Sequence, residues 1–300
     1  MQTFAATDLT YVYSPGHQPI GEVQPGETFV VETSDCFTSR FHDPAQWNEE
    51  SAAWVEANLN PVTGPISVVG AKAGDAVEIR IEDITVTTPA TVVISRCAAL
   101  SPQDWWHEEY RAISLDVTDG RIRIRDDWSL PIRPLIGCLA TAPLNETILS
   151  RHEGSYGGNL DCSAITTGAT VILPVNIDGA SLYFGDSKAA MGAGEVVCAP
   201  ECGTRIVASA TPIPRPAAMN SPRIRTETHL TAVVSAGTLA DASRSAFREL
   251  KHWLQEEFSV EPDDAAVLMG IAADCGICQV SNALHTASCT IERALLPPVR

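Results

Sequence analysis

The 300-residue sequence predicts a mainly β protein, with an antiparallel β-sandwich-like body and a C-terminal α+β portion. Three observations predict it. Short runs with period-2 alternation fill the first two thirds, clusters of Gly, Pro and Asp separate them, and a helical period takes over only after Asp241. The expected division is a β-rich body over residues 1–210 that carries the site and an α+β portion over 211–300 packed on it.

In chain order, Gly26-Glu27 opens the apolar run Phe29-Val30-Val31, and Gly74-Asp75 opens a strand in which Val77, Ile79 and Ile81 alternate with Glu78, Arg80 and Glu82. Trp47, Trp105 and Trp106 are expected in the core. Arg121-Ile-Arg-Ile-Arg125 repeats the alternation with a basic wet face. Val171 to Ile177, Asp178-Gly179 and Ala180 to Phe184 read as a hairpin, because Asp-Gly tolerates the positive φ angles of a type I′ turn. Pro174 would put its first strand at an edge or bulge. Pro212 to Pro222 reads as a loop or linker. Phe247, Leu250, Leu254 and Phe258 then recur at helical spacing from Asp241 until Pro262, and Asp263 to Asp274 reads as a second helix with Gly276 just past its end.

Composition narrows the function classes. Hydrophobic residues make up 45% and charged residues 19%, which is globular rather than disordered or coiled-coil chemistry. A net charge of −17 repels nucleic acid and anionic lipid, so neither is an expected partner. No basic leader precedes an apolar run and no stretch is long enough to span a membrane, so a soluble cytoplasmic protein is expected. Nine scattered cysteines fit reduced, mostly buried thiols. Cys198, Cys202, Cys275 and Cys278 have spacings that could in principle hold zinc, but Cys275-Gly-Ile-Cys278 lies in an apolar stretch where small buried thiols are common. The seven histidines show no metal-binding spacing, and no nucleotide fingerprint is present.

Three segments carry polar residues that a strand pattern does not explain: Asn60 to Pro65, Gly154 to Asp161, and Gly185 to Glu195. If their strands are neighbours, Asp161, Asp186, Lys188 and Glu195 gather around one opening. Each segment can equally be read as turns.

These residues resemble the acetamidase/formamidase family of amide hydrolases. The resemblance is carried by Asn60-Pro-Val-Thr-Gly-Pro65 with Gly70-Ala and Gly74-Asp75, by Arg133-Pro-Leu-Ile-Gly-Cys-Leu-Ala-Thr-Ala-Pro143, and by Tyr156-Gly-Gly-Asn-Leu-Asp161. Leu173-Pro-Val175, Gly185-Asp186, Gly192-Ala-Gly-Glu-Val196 and Asp274-Cys-Gly-Ile-Cys-Gln279 follow in the family's order. It implies hydrolysis of a small linear amide, self-association as a homodimer or higher homo-oligomer, and a divalent zinc or calcium held by residues such as Asp161 and Asp186. Family members often carry His where this chain has Asn60, Tyr156 and Lys188, and Asp where it has Ala193; a glutamate usual near Lys72 is absent too. A fixed ammonium at Lys188 opposes a bound cation. On this reading Glu195 is the general base and later acid, Asp161 and Asp186 are polar or metal-binding carboxylates, and Lys188 meets the oxyanion or a substrate charge. Asn60, Tyr156, Gly158 and Asn159 are the expected substrate-binding residues. Two alternatives stand beside it: a catalytically silent relative that binds a small amide or acid as a sensor or subunit, and a hydrolase using Cys162 or Ser163 as nucleophile.

Overall fold

A computed structural model describes residues 1–46, 48–94 and 111–298, with the side chains of 52, 56 and 111 left out. Trp47, Trp105 and Trp106 lie outside the described residues. Two large sheets face each other. The first has nine strands in the order Gln2–Phe4, Thr28–Thr33, Thr204–Ile213, Ala76–Val86, Thr170–Pro174, Arg223–Arg225, His229–Ala236, His285–Glu292 and Asp274–Gln279. The second runs Glu153–Gly154, Gly157–Asn159, Leu135–Ala140, Leu182–Lys188, Val62–Val68 and Leu9–Thr10, with Gly21–Val23 parallel to Val62–Val68. Apart from that pair and the parallel pairing of Gln2–Phe4 with Thr28–Thr33, the ladders of both sheets are antiparallel.

The body is therefore the sandwich that the alternation predicts. Val77, Ile79 and Ile81 point into the space between the sheets and meet Ile66, Leu139, Leu182 and Phe184 from the other side, all fully buried. A smaller antiparallel sheet of Val117–Thr118, Arg121–Arg125 and Trp128–Pro131 buries Ile122 and leaves its arginines exposed.

The expected hairpin is not formed. Thr170–Pro174 belongs to the nine-stranded sheet and Leu182–Lys188 to the other, so Asp178-Gly179 begins a crossover between them. Gly179, Ala180 and Ser181 all adopt positive φ (84°, 60° and 55°), which turns the chain from one layer into the next. Asp178 is tied to another turn instead, accepting from the Ala73 N–H and Lys72 Nζ at 3.0 Å each. Strand Thr170–Pro174 is also interior rather than at an edge. Pro174 is tolerated because it is the last residue, beyond the reach of Arg223–Arg225, whose pairing ends at Ile172.

The first C-terminal helix spans Leu239–Phe258, with the Thr238 hydroxyl accepting from the Asp241 N–H at its start. It buries Leu250, Trp253, Leu254 and Phe258 on the outer face of the nine-stranded sheet, against Ile172, Leu230 and Ile291. Ser259, at φ 53°, ends that helix, and Pro262 opens the next one, Pro262–Ala272, rather than stopping the first. Asp274 and Gly276 lie in the following strand, so Gly276 is not a helix terminator. The boundary expected at residue 210 falls inside strand Thr204–Ile213, and strands from both sides of it share one sheet. Among the described residues no helix is long and apolar enough to cross a membrane.

Candidate active site

Strand Leu182–Lys188 is buried at every residue. Leu182 and Phe184 face the inter-sheet core, yet Ser187 does too, accepting from the Thr204 hydroxyl of the large sheet at 2.8 Å. Residues an odd number apart cannot share a face of a regular strand, so the alternation slips once between them. The slip is at Asp186, whose φ of 52° is left-handed. It turns Asp186 and Lys188 together to the outer side of the sheet. The neighbouring strand slips at the same level, with Ile136 and Leu139 both in the core. Gly137 lies there, between the pairs Ile136↔Ser187 and Cys138↔Gly185.

Lys188 Nζ is the hub of the site. It donates to Asp161 Oδ1 at 2.8 Å and Asp186 Oδ2 at 2.7 Å, and it lies 3.3 Å from Glu201 Oε1 and 3.5 Å from Glu195 Oε1. The side chains of Lys188, Asp161, Asp186 and Glu201 are no more than 3% exposed, whereas that of Glu195 is 10% exposed. Asn60, Asp161, Asp186 and Glu195 all hold positive φ, between 42° and 58°. Such backbone costs on the order of 1–3 kcal/mol per residue and persists where the surroundings enforce it, as they do at functional sites.

Burial opposes the charge on Lys188, but the pull of Asp161, Asp186, Glu201 and Glu195 outweighs it and holds the ammonium well above its ordinary range. Three of the acids move upward as well. Burial raises Glu195 and Glu201 well above the carboxylate range, with Asp161 adding to the first and Asp186 to the second, and Lys188 only partly offsetting this. Burial raises Asp186 too. One ammonium among four carboxyl groups therefore leaves the cluster holding extra protons, and Glu195 is the most exposed acid of the set.

The four expected catalytic residues thus converge, although they come from separate segments. The expected substrate-binding residues divide. Asn60 and Asn159 are buried beside the cluster with Cys138 between them: Asn60 Nδ2 donates to Cys138 Sγ at 3.7 Å, and the thiol donates to Asn159 Oδ1 at 3.3 Å. Tyr156 turns away, packing on Tyr13 and donating to the His152 carbonyl at 3.3 Å. Gly158 has its φ of 93° enforced by packing, since a Cβ there would lie 2.3 Å from the His152 carbonyl oxygen; it makes room for backbone rather than for a ligand. Cys162 is buried in the inter-sheet core together with Cys278.

The implied zinc or calcium does not fit the pair expected to hold it. Lys188 Nζ fills the position between Asp161 and Asp186, bonding one oxygen of each. Among the described residues one trio has ligand spacing, Cys36, Asp186 and Glu201, with donor atoms within 4.8 Å of one another. It includes the same lysine-bound aspartate, Glu201 has the ammonium 3.3 Å away, and burial and Glu201 hold the Cys36 thiol protonated well above its usual range. A divalent ion in that position would face a fixed positive charge.

Several residues of the site carried no signal in the sequence. Glu201 sits in the plain segment Pro200-Glu201-Cys202 and pairs with both Thr91 and Lys188 as isolated bridges. The turn after the last-but-one strand closes over the cluster: the Ser281 hydroxyl donates to Glu195 Oε2 at 2.9 Å, Asn282 Nδ2 donates to Asp161 Oδ2 at 3.4 Å, and the Leu284 N–H donates to Glu153 Oε1 at 2.8 Å. Gly194 is joined to this turn by a parallel bridge to Gln279.

An acetamidase from Bacillus halodurans is 29% identical, with 97% of each chain covered and a TM-score of 0.89. A protein described as a recombinant predicted acetamidase/formamidase from Thermoanaerobacter tengcongensis is 27% identical over 98% of this chain and 96% of its own, also at 0.89. A γ-lactamase from Delftia acidovorans shares the fold at 16% identity, with 100% and 94% coverage and a TM-score of 0.66. No curated protein matches the sequence. The family model described as "Acetamidase/Formamidase family" matches residues 7–128 and 133–211, about two thirds of the sequence, and the chain belongs to that family.

Proposed function

We propose that this protein hydrolyses a small linear carboxamide to the carboxylic acid and ammonia. The observation that carries the reading is the position of Glu195, the acid of the lysine cluster that also lines a cavity. Family membership and the named relatives support the reaction class.

Amide hydrolysis adds water across the C–N bond, so one group must take a proton from water and return a proton to the departing nitrogen. Glu195 suits both steps. Burial and Asp161 raise its pKa, which makes the carboxylate a stronger base and lets its acid form persist nearer neutrality. In the addition step Glu195 accepts a proton as the water oxygen bonds the carbonyl carbon. In the collapse step it gives that proton to nitrogen as the C–N bond breaks.

Lys188 acts by position rather than as the oxyanion partner expected from sequence. An ammonium has three N–H donors. Two are held by Asp161 and Asp186, and the remaining one faces Glu201 and Glu195. Lys188 therefore fixes the acids and partly balances their charge.

The test is ammonia release from formamide, acetamide and longer amides, with Glu195→Gln alongside. Hydrolysis that falls by about 10²- to 10⁴-fold in Glu195→Gln supports the assignment. Undiminished turnover in that variant removes Glu195 from the reaction. Absence of ammonia release from every amide, together with saturable thermal stabilisation by an amide or acid, favours the silent binding relative. The cytoplasmic setting and homo-oligomeric assembly complete the proposal, and sedimentation of the purified protein tests the assembly.

A further inference from the structure

Glu195 stands in the wall of a cavity of about 370 Å³ whose other walls are almost wholly apolar. Ile122 and Leu130 come from the small three-stranded sheet, Met191 and Val196 from the segment that carries Glu195, and Ala199 from the segment leading to Glu201. Met191, Ala199 and Ile122 form buried wall, whereas Leu130 and Val196 are 45% and 43% exposed at the rim. Among the described lining residues Arg133 is the one cation, and it is exposed.

Acetamide has four non-hydrogen atoms and needs only a corner of this space. The volume instead falls within the roughly 300–1,000 Å³ of sites for larger ligands, which are apolar with a few polar groups at one end. Here that polar end is Glu195. Among the described residues the acid side of the site is filled by its own lysine and carboxylates, and the apolar wall lies on the cavity side of Glu195.

Resting on the hydrolase reading above, we infer that this cavity is the acyl-binding subsite, and that the substrate is a primary amide of an apolar acid of about four or more carbons. The carboxamide lies at Glu195 and the hydrocarbon chain or ring lies against Ile122, Leu130, Met191 and Val196. A formyl or acetyl group leaves this wall uncovered and gains nothing from it.

The experiment is kcat/KM across a straight-chain series from formamide to hexanamide, with phenylacetamide added, for the wild type and Val196→Trp. The same amides are titrated in a thermal-shift assay, and circular dichroism confirms that the variant is folded. Expected is a rise of about two- to fourfold for each methylene after acetamide, following the transfer of apolar surface out of water. Expected as well is a drop of at least tenfold in the hexanamide-to-acetamide ratio for Val196→Trp. A series that peaks at formamide or acetamide overturns the subsite while leaving the hydrolase reading in place, and so does an unchanged ratio in the variant. If no amide is hydrolysed, the hydrolase reading fails. The subsite then stands if stabilisation rises with chain length and weakens in Val196→Trp, and falls if hexanamide stabilises neither protein.

Discussion

Gly137 faces Asp186 at the level where both of their strands change sides, and a Cβ built on Gly137 would lie 2.5 Å from Asp186 Oδ2 and 2.6 Å from Asp161 Oδ1. The two lysine-bound aspartates can converge only because residue 137 has no side chain. In Gly137→Ala the methyl has to displace carboxylates held by Lys188, or the strand has to move. Activity is expected to fall by at least about 10²-fold, and overpacking costs about 1–3 kcal/mol of stability. Urea unfolding and ammonia release measure the two effects, and wild-type values in both would show that the carboxylates do not need this approach.

Lys188→Met removes the cation that, among the described residues, is the only one paired with these four buried carboxyl groups. Removing one partner of a buried ion pair costs about 3–5 kcal/mol. The carboxyl groups of the variant can recover part of this by binding more protons, so the native state gains stability as the pH falls. The deficit against wild type is expected to be largest near pH 8 and smaller near pH 5, read from unfolding midpoints at each pH. A deficit independent of pH would point to packing alone.

The Ser281 hydroxyl donates to Glu195 Oε2, a bond that favours the ionised carboxyl. Removing it in Ser281→Ala is expected to raise the Glu195 pKa and move the acidic limb of kcat/KM upward by about half a unit to one unit. A lower rate without any displacement of that limb would mean that Ser281 shapes the turn but not the acid.

Glu153 is pushed up to about 8, chiefly by burial, with the Leu284 N–H working in the opposite direction. Its ordinary value is 4.5, so the native state binds the extra proton. The associated stability is fully present below pH 4.5 and is lost as the pH rises through 8. Glu153→Gln stays neutral and keeps an oxygen for the Leu284 N–H. It is expected to match wild type near pH 5 and exceed it by about 1–3 kcal/mol at pH 9, measured by chemical denaturation. Parallel curves for the two proteins across this range would show that Glu153 does not titrate there.

Much of the fold is legible because burial imposes a period. Val77, Ile79 and Ile81 alternate with charge as one-sided strands do, and Leu250, Leu254 and Phe258 repeat as a helix does. Where both faces are buried, the period vanishes. Residues 170–174 and 182–188 read alike, and nothing local says that they join different sheets. The site was legible as far as unusual residue types reached, so Asp161, Asp186, Lys188 and Glu195 stand out. Glu201 does not, because its neighbours Pro200 and Cys202 make it look like any loop acid. Ser281 and Asn282 lie 86 and 121 residues from the groups they bond, and no spacing rule covers such a distance. Gly137 could have been suspected only by knowing what stands across the ladder.

The turn that holds Ser281 and Asn282 joins two strands, Asp274–Gln279 and His285–Glu292, that complete the far edge of the large sheet. This clasp comes from a segment well removed along the chain from the acids it holds, so gathering the lysine and its carboxyl groups and steadying them are tasks of different parts of the sequence. An edit confined to residues 280–284 would therefore reach Glu195 and Asp161 while leaving the segments that carry them intact.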